Sequence, residues 1–115
     1  MIIAKIFKDK NANIKRYTIE GHANYDDYGK DIVCAAISVL SQTVLISLVK
    51  VCGLKEDKIK YSIDDEFGFL DVELPSNIEI SILEKTQIVL KTLVVGINSV
   101  MESYPEYVTL EYREV

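Results

Sequence analysis

The feature that most constrains this chain is an uncharged run of eighteen residues, Ile32 to Val49, in a total of 115. Such a run must leave water, into a bilayer or into a core. Ser38, Ser41, Gln42, Thr43 and Ser47 interrupt it, and segments with strand-like alternation surround it. A buried core helix is therefore expected, not a membrane span. Asp31 is a good N-cap in front of the run, and Gly53 a good terminator behind a helix that reaches about Val51. A second helix is expected from about Glu79 to Ser103, with Pro105 ending it. It carries Leu83, Leu90, Leu93, Val94, Ile97, Val100 and Met101.

Five segments alternate with period two. Ile2 to Lys8 and Ile14 to Glu20 form a first hairpin around Asp9 to Asn13. Lys58 to Ile63, with Ile59, Tyr61 and Ile63 on one face, pairs with Leu70 to Leu74 around Asp64 to Gly68. Tyr107 to Arg113 closes the chain, with Val108, Leu110 and Tyr112 on one face. The order is ββαββαβ. Clean alternation leaves one sheet face wet, which favours antiparallel pairing. The expected architecture is an α+β two-layer sandwich: a mostly antiparallel five-stranded sheet with two long helices on one face. Length and the absence of a linker make residues 1–115 one domain. Both helices are apolar around most of their circumference, more than one sheet face can cover. That excess suggests a homodimer built on helix surfaces.

The formal net charge of -5 argues against direct nucleic-acid binding and suits a basic protein or peptide partner. Met1 leads straight into a strand-like segment, so no signal peptide is expected. Cys34 and Cys52, read as lying on one helix, would stand roughly 27 Å apart. A disulfide needs Cα atoms within roughly 7 Å, so they remain free thiols, as in a reducing cytoplasm.

The single histidine, His22, follows the second strand in Glu20-Gly21-His22-Ala23. Cys34 comes twelve residues later and occupies the third position of a helix capped by Asp31. N–H groups in a first helical turn lack intrahelical partners, and the helix dipole there favours negative charge. Both effects lower a cysteine pKa below its free value of roughly 8.5, and a nearby imidazole lowers it further. The same N–H groups are candidates to receive an oxyanion on an attacked carbonyl. Spacing alone leaves a plainer reading open, in which Cys34 is a small buried hydrophobe and His22 a surface residue.

Gly21-His22-Ala23, a short polar loop, then Gly29-Lys30-Asp31-Ile32-Val33-Cys34-Ala35-Ala36-Ile37-Ser38 resembles the signature of the ribosomal-processing cysteine proteases called Prp. The length and the ββαββαβ order agree over nearly the whole chain. The resemblance implies a cysteine endopeptidase with His22 as general base and Cys34 as nucleophile. It also implies a substrate: the precursor of large-subunit ribosomal protein twenty-seven, which the family relieves of a short N-terminal extension. No cofactor is implied.

Several further residues have two readings each. Asp31 either orients His22 or only caps the helix. Ser38, one turn after Cys34, either lines a substrate groove or bonds a backbone carbonyl. Cys52 is read as structural. The loop Ala23 to Lys30 is either a lid that orders over substrate, hinged at Gly21 and Gly29, or a solvated acidic loop. As a lid it would bring Tyr25 and Tyr28 onto the peptide and Asp26 and Asp27 onto basic residues. Gly21, Tyr25, Tyr28 and Ser38 are thus the candidate substrate-binding residues. No metal site is expected, because one histidine and two distant cysteines do not make a tetrahedral ligand set. A non-catalytic module that binds a ribosomal protein is the main alternative. A thiol redox enzyme is disfavoured by the lack of a Cys-x-x-Cys pair.

Overall fold

The computed structural model describes residues 1–27 and 31–115. The strands are β1 (Ile2–Lys8), β2 (Ile14–Glu20), β3 (Lys60–Asp64), β4 (Phe69–Glu73) and β5 (Val108–Glu114). The helices are α1 (Ile32–Lys50) and α2 (Ile80–Ser103), so the order is the expected ββαββαβ. The sheet runs β3-β4-β2-β1-β5. Three of its pairings are antiparallel, and the fourth, β1 with β5, is parallel with Ile2 opposite Val108. The sheet is therefore mixed. Alternation reports a half-wet sheet but not strand direction. The direction of β5 is set by α2, which carries the chain from β4 to the far edge.

One sheet face is buried through Ile2, Ala4 and Ile6 of β1, Tyr17 and Ile19 of β2, Leu70 and Val72 of β4, and Val108 of β5. Against it lie Val33, Ile37, Val44, Leu45 and Leu48 of α1, with Leu90, Leu93 and Ile97 of α2. Tyr17 is fully buried, and its hydroxyl donates to the Ser41 carbonyl at 2.8 Å, tying β2 to α1. On the opposite, wet face Arg16 makes a bidentate pair with Asp71 across β2 and β4. Although α1 is long and apolar enough to cross a bilayer, one of its faces is committed to this core.

Gln87 of α2 is buried, yet both ends of its amide are used. Its Oε1 accepts from Ile14 N–H at 2.7 Å, and its Nε2 donates to the Ile14 carbonyl at 2.9 Å. This side chain stands in for a neighbouring strand at the start of β2. Gln87→Leu strands two buried backbone groups. It is expected to cost about 1–3 kcal/mol for each, read as a lower urea midpoint with an unchanged slope.

The second hairpin departs from expectation in one respect. A 3₁₀ turn takes Glu56–Lys58, and the strand begins only at Lys60. Ile59 is buried, but Tyr61 and Ile63 are 43% and 46% exposed although they stand opposite Val72 and Leu70. β3 is the edge strand, and its apolar face is left partly uncovered. Gly53, at φ 89°, ends α1 as expected, with Leu54 N–H donating to the Leu48 carbonyl at 3.0 Å.

Candidate active site

β2 ends at Glu20, and Gly21 turns the chain so that His22 and Ala23 leave the sheet beside the start of α1. The ladder does not stop with the strand. Glu20 pairs with Phe69, and Gly21 N–H then donates to the Gly68 carbonyl at 2.8 Å. This brings the turn between β3 and β4 alongside His22. The result is an open cleft of about 840 Å³ between that turn and the N-terminal turns of α1. His22, Cys34 and Ser38 all line it, as do Gly21 and Asp31. Its size suits a peptide segment.

Cys34 is half-buried, and its Sγ accepts from Ala23 N–H at 3.2 Å. Asp31 is the N-cap of α1. Its Oδ1 accepts from Val33 and Cys34 N–H, each at 3.0 Å, and its Oδ2 accepts from Tyr25 N–H at 3.0 Å. Both carboxylate oxygens are thus held by backbone N–H groups, as the capping role requires. Burial pushes the Asp31 carboxyl up, but the N–H groups of Cys34 and Tyr25 outweigh it and hold the group below its ordinary value.

This arrangement bears on two features of the helix terminus. The Val33 and Cys34 N–H groups, expected to stabilise a thiolate and an oxyanion, are engaged by Asp31. Nor is the Cys34 pKa lowered in this structure. Burial pushes the thiol up, the Ala23 N–H pulls it down, and the adjacent Asp31 carboxylate pushes it up again, leaving it above its ordinary value. Iodoacetamide is therefore expected to modify Cys34 of the free protein more slowly at neutral pH than an unstructured cysteine. The rate should climb with a midpoint above the ordinary thiol value, as read by mass spectrometry of the modified peptide. A midpoint below the ordinary value would contradict this electrostatic picture. Cys52 is buried beyond the end of α1 and is also raised, chiefly by burial, as suits a structural thiol.

The remaining candidates divide. Ser38 faces the cleft, and Asp26 lines it from the loop. Tyr25 does not line it. Its ring packs edge-on against Tyr104 and Tyr107, with centroids 5.5 and 5.2 Å away. Tyr28, Gly29 and Lys30, with the hinge and peptide contact expected there, lie outside the described residues. Sequence reasoning missed the second wall. Ile63, Asp65, Glu66, Gly68, Phe69 and Leu70 line the cleft from the β3–β4 hairpin. Glu66 contributes more than a surface, because its carbonyl lies 3.2 Å from His22 Nε2. The signal for a turn at Asp64 to Gly68 was present, but its nearness to His22 follows only from the pairing of β2 with β4. Among the described residues no three His, Cys, Asp or Glu side chains gather as metal ligands.

Comparison with known proteins agrees with this architecture. The chain is 26% identical over 113 residues to the ribosomal processing cysteine protease Prp of Staphylococcus aureus, covering 98% of this chain and 100% of that protein. The Bacillus subtilis protein of the same name is 22% identical over 106 residues, covering 92% of each. Among solved structures, SMU.848 from Streptococcus mutans superposes with a TM-score of 0.82 at 29% identity, covering 100% of this chain and 96% of the other. The S. aureus protease Prp in complex with a covalently linked product peptide shares the fold, with a TM-score of 0.86 at 23% identity over 98% of this chain and all of the other. The model of the cysteine protease Prp family matches residues 1–109, and the chain belongs to that family.

Proposed function

We propose that this protein is the endopeptidase that removes the short N-terminal extension of large-subunit ribosomal protein twenty-seven during ribosome assembly, with Cys34 as nucleophile and His22 as general base. The observation that carries this reading is that the one histidine and a helix-terminal cysteine open onto the same peptide-sized cleft. The ribosomal processing carried out by the curated relatives supports the substrate assignment. So does the lining of the cleft. Ile2, Ile19, Ile37 and Phe69 offer an apolar floor, while Asp26, Asp65 and Glu66 offer acidic partners for a basic peptide.

In this mechanism His22 takes the Cys34 thiol proton as Sγ attacks the scissile carbonyl carbon. The carbonyl electron pair moves to oxygen, and the tetrahedral oxyanion forms. With the Val33 and Cys34 N–H groups committed to Asp31, the Ala23 N–H is the donor nearest the nucleophile and the best placed to serve that oxyanion. The intermediate collapses with cleavage of the C–N bond, and His22 protonates the leaving amine. Water then attacks the thioester, with His22 receiving its proton, and releases the acid and the free thiol. The decisive experiment is incubation of the protein with a peptide spanning the extension junction, followed by mass spectrometry. Scission at one bond is expected. Tight binding with no scission would instead favour the non-catalytic binding module.

The same reading places the protein in the cytoplasm as a homodimer that does not bind nucleic acid directly. Ile32, Val39 and Ile46 recur at heptad spacing on the outer side of α1, and Ile88 and Val95 do so on α2. All five are more than half exposed in the single chain. Light scattering is expected to give twice the chain mass, and Val39→Asp with Val95→Asp to give one chain mass with the fold retained. A wild-type monomer at micromolar concentration would refute the dimer.

A further inference from the structure

The turn between β3 and β4 does more than wall the cleft. A carbonyl oxygen only accepts hydrogen bonds, so the 3.2 Å contact between the Glu66 carbonyl and His22 Nε2 requires the hydrogen to be on Nε2. In the neutral ring the lone pair is then on Nδ1. That nitrogen is bonded to Cγ, at the end of the ring nearer the main chain, and the next main-chain N–H, that of Ala23, reaches Cys34 Sγ at 3.2 Å. The Asp31 carboxylate accepts from the Val33, Cys34 and Tyr25 N–H groups, and its hydrogen bonds in this structure go to those groups and not to His22.

Gly68 holds the carbonyl in place. Its φ is +64°, and a Cβ there would lie 2.6 Å from the Gly21 carbonyl oxygen and 2.9 Å from both Cε1 and Nε2 of His22. Only a residue without Cβ lets the turn lie flat against the imidazole edge. The Gly21 N–H to Gly68 carbonyl bond fixes the distance between the two segments.

We propose that the Glu66 main-chain carbonyl, seated by Gly68, is the positioning group for His22, selecting the tautomer protonated at Nε2 and leaving Nδ1 as the proton acceptor for Cys34. The inference rests on His22 being the base, but the placement itself is independent of catalysis. It makes the third member of the catalytic set a peptide carbonyl instead of a side chain, supplied by a hairpin more than forty residues further along the chain.

Because His22 is the single histidine, ring-nitrogen NMR of the isotope-labelled protein reports on it without overlap. With the ring neutral, wild type is expected to show the pure Nε2–H tautomer. Gly68→Ala is expected to give averaged tautomer shifts and to lower kcat by about 100-fold with KM little changed, since a base displaced by about an ångström loses that much. Gly53→Ala is the matched control: its φ is +89° with nothing within 4 Å of the added Cβ, so it carries the backbone strain without touching the site. A wild-type Nδ1–H tautomer would overturn the proposal. So would a Gly68→Ala protein with the tautomer of wild type and the kcat of Gly53→Ala. Should Gly68→Ala fail to fold, the tautomer of wild type decides alone. Failure of the reading on which this rests shows separately, as no scission of the junction peptide by wild type or as full cleavage by His22→Ala, while the tautomer readout stands.

Discussion

Cys34→Ala is expected to abolish cleavage of the junction peptide, with a fall in kcat of roughly 10⁴-fold or more. The reason is chemical: no other described nucleophilic side chain with a base at hand opens onto the cleft, whose remaining hydroxyls, Ser38 and Ser41, lie further along α1. His22→Ala should be nearly as severe. The double variant should be little worse than either single one, because residues that share one proton transfer do not contribute additively. Affinity for the uncleaved peptide, measured by calorimetry with Cys34→Ala, is expected to stay within a few-fold of the wild-type KM. Cleavage by Cys34→Ala at the wild-type rate would remove Cys34 from the mechanism. The substitution carries only a modest stability change, since Cys34 is no more than half-buried and its Sγ receives one weak hydrogen bond.

Asp31→Ala is expected to damage stability and activity together. The carboxylate holds three backbone N–H groups, two in the first turn of α1 and one in the loop at Tyr25. Loss of the cap alone costs about 0.5–2 kcal/mol, and freeing Tyr25 N–H releases the loop that carries Asp26 into the cleft. Asp31→Asn separates the two roles. Its carbonyl oxygen still caps Val33 and Cys34, but its amide cannot accept from Tyr25 N–H. It also removes the negative charge that pushes the Cys34 thiol up, so the alkylation midpoint of Cys34 should move down. The folded carboxyl of Asp31 lies below its unfolded value. Its contribution to stability is therefore fully present above the unfolded carboxyl value of about 3.9 and is lost as pH falls through the lower folded value. Asp31→Asn should flatten that part of the acid unfolding curve. An alkylation midpoint unmoved by Asp31→Asn would show that the carboxylate does not govern the thiol.

Much of this protein is local and therefore readable in one dimension. The period-two alternation of Ile2, Ala4 and Ile6, the uncharged run beginning at Ile32, and the caps Asp31 and Gly53 each state a preference that neighbouring residues do not contradict. That His22 and Cys34 share one cleft was foreshadowed for the same reason: both stand at the ends of strongly marked elements only twelve residues apart. Local signals in the chain thus set the order ββαββαβ and the buried face of each inner strand, and they single out the two residues to which the proposed chemistry is assigned.

The tertiary structure decided the rest, because it depends on pairings between distant segments. Ile63 alternates as cleanly as Ile6, yet it is nearly half exposed, since an edge strand is covered only as far as the helices reach. Tyr25 sits in the polar loop between His22 and Cys34, but Tyr104 and Tyr107, about eighty residues further along the chain, take its ring. The Cys34 thiol is pushed up chiefly by burial, which only packing supplies, and Asp31 takes the N–H groups that a free helix end would have offered a thiolate. The Glu66 carbonyl carries no side-chain signature at all. It meets His22 only because β2 and β4 run antiparallel in a register that sets Glu20 opposite Phe69, so that the hairpin turn lands where β2 releases the histidine.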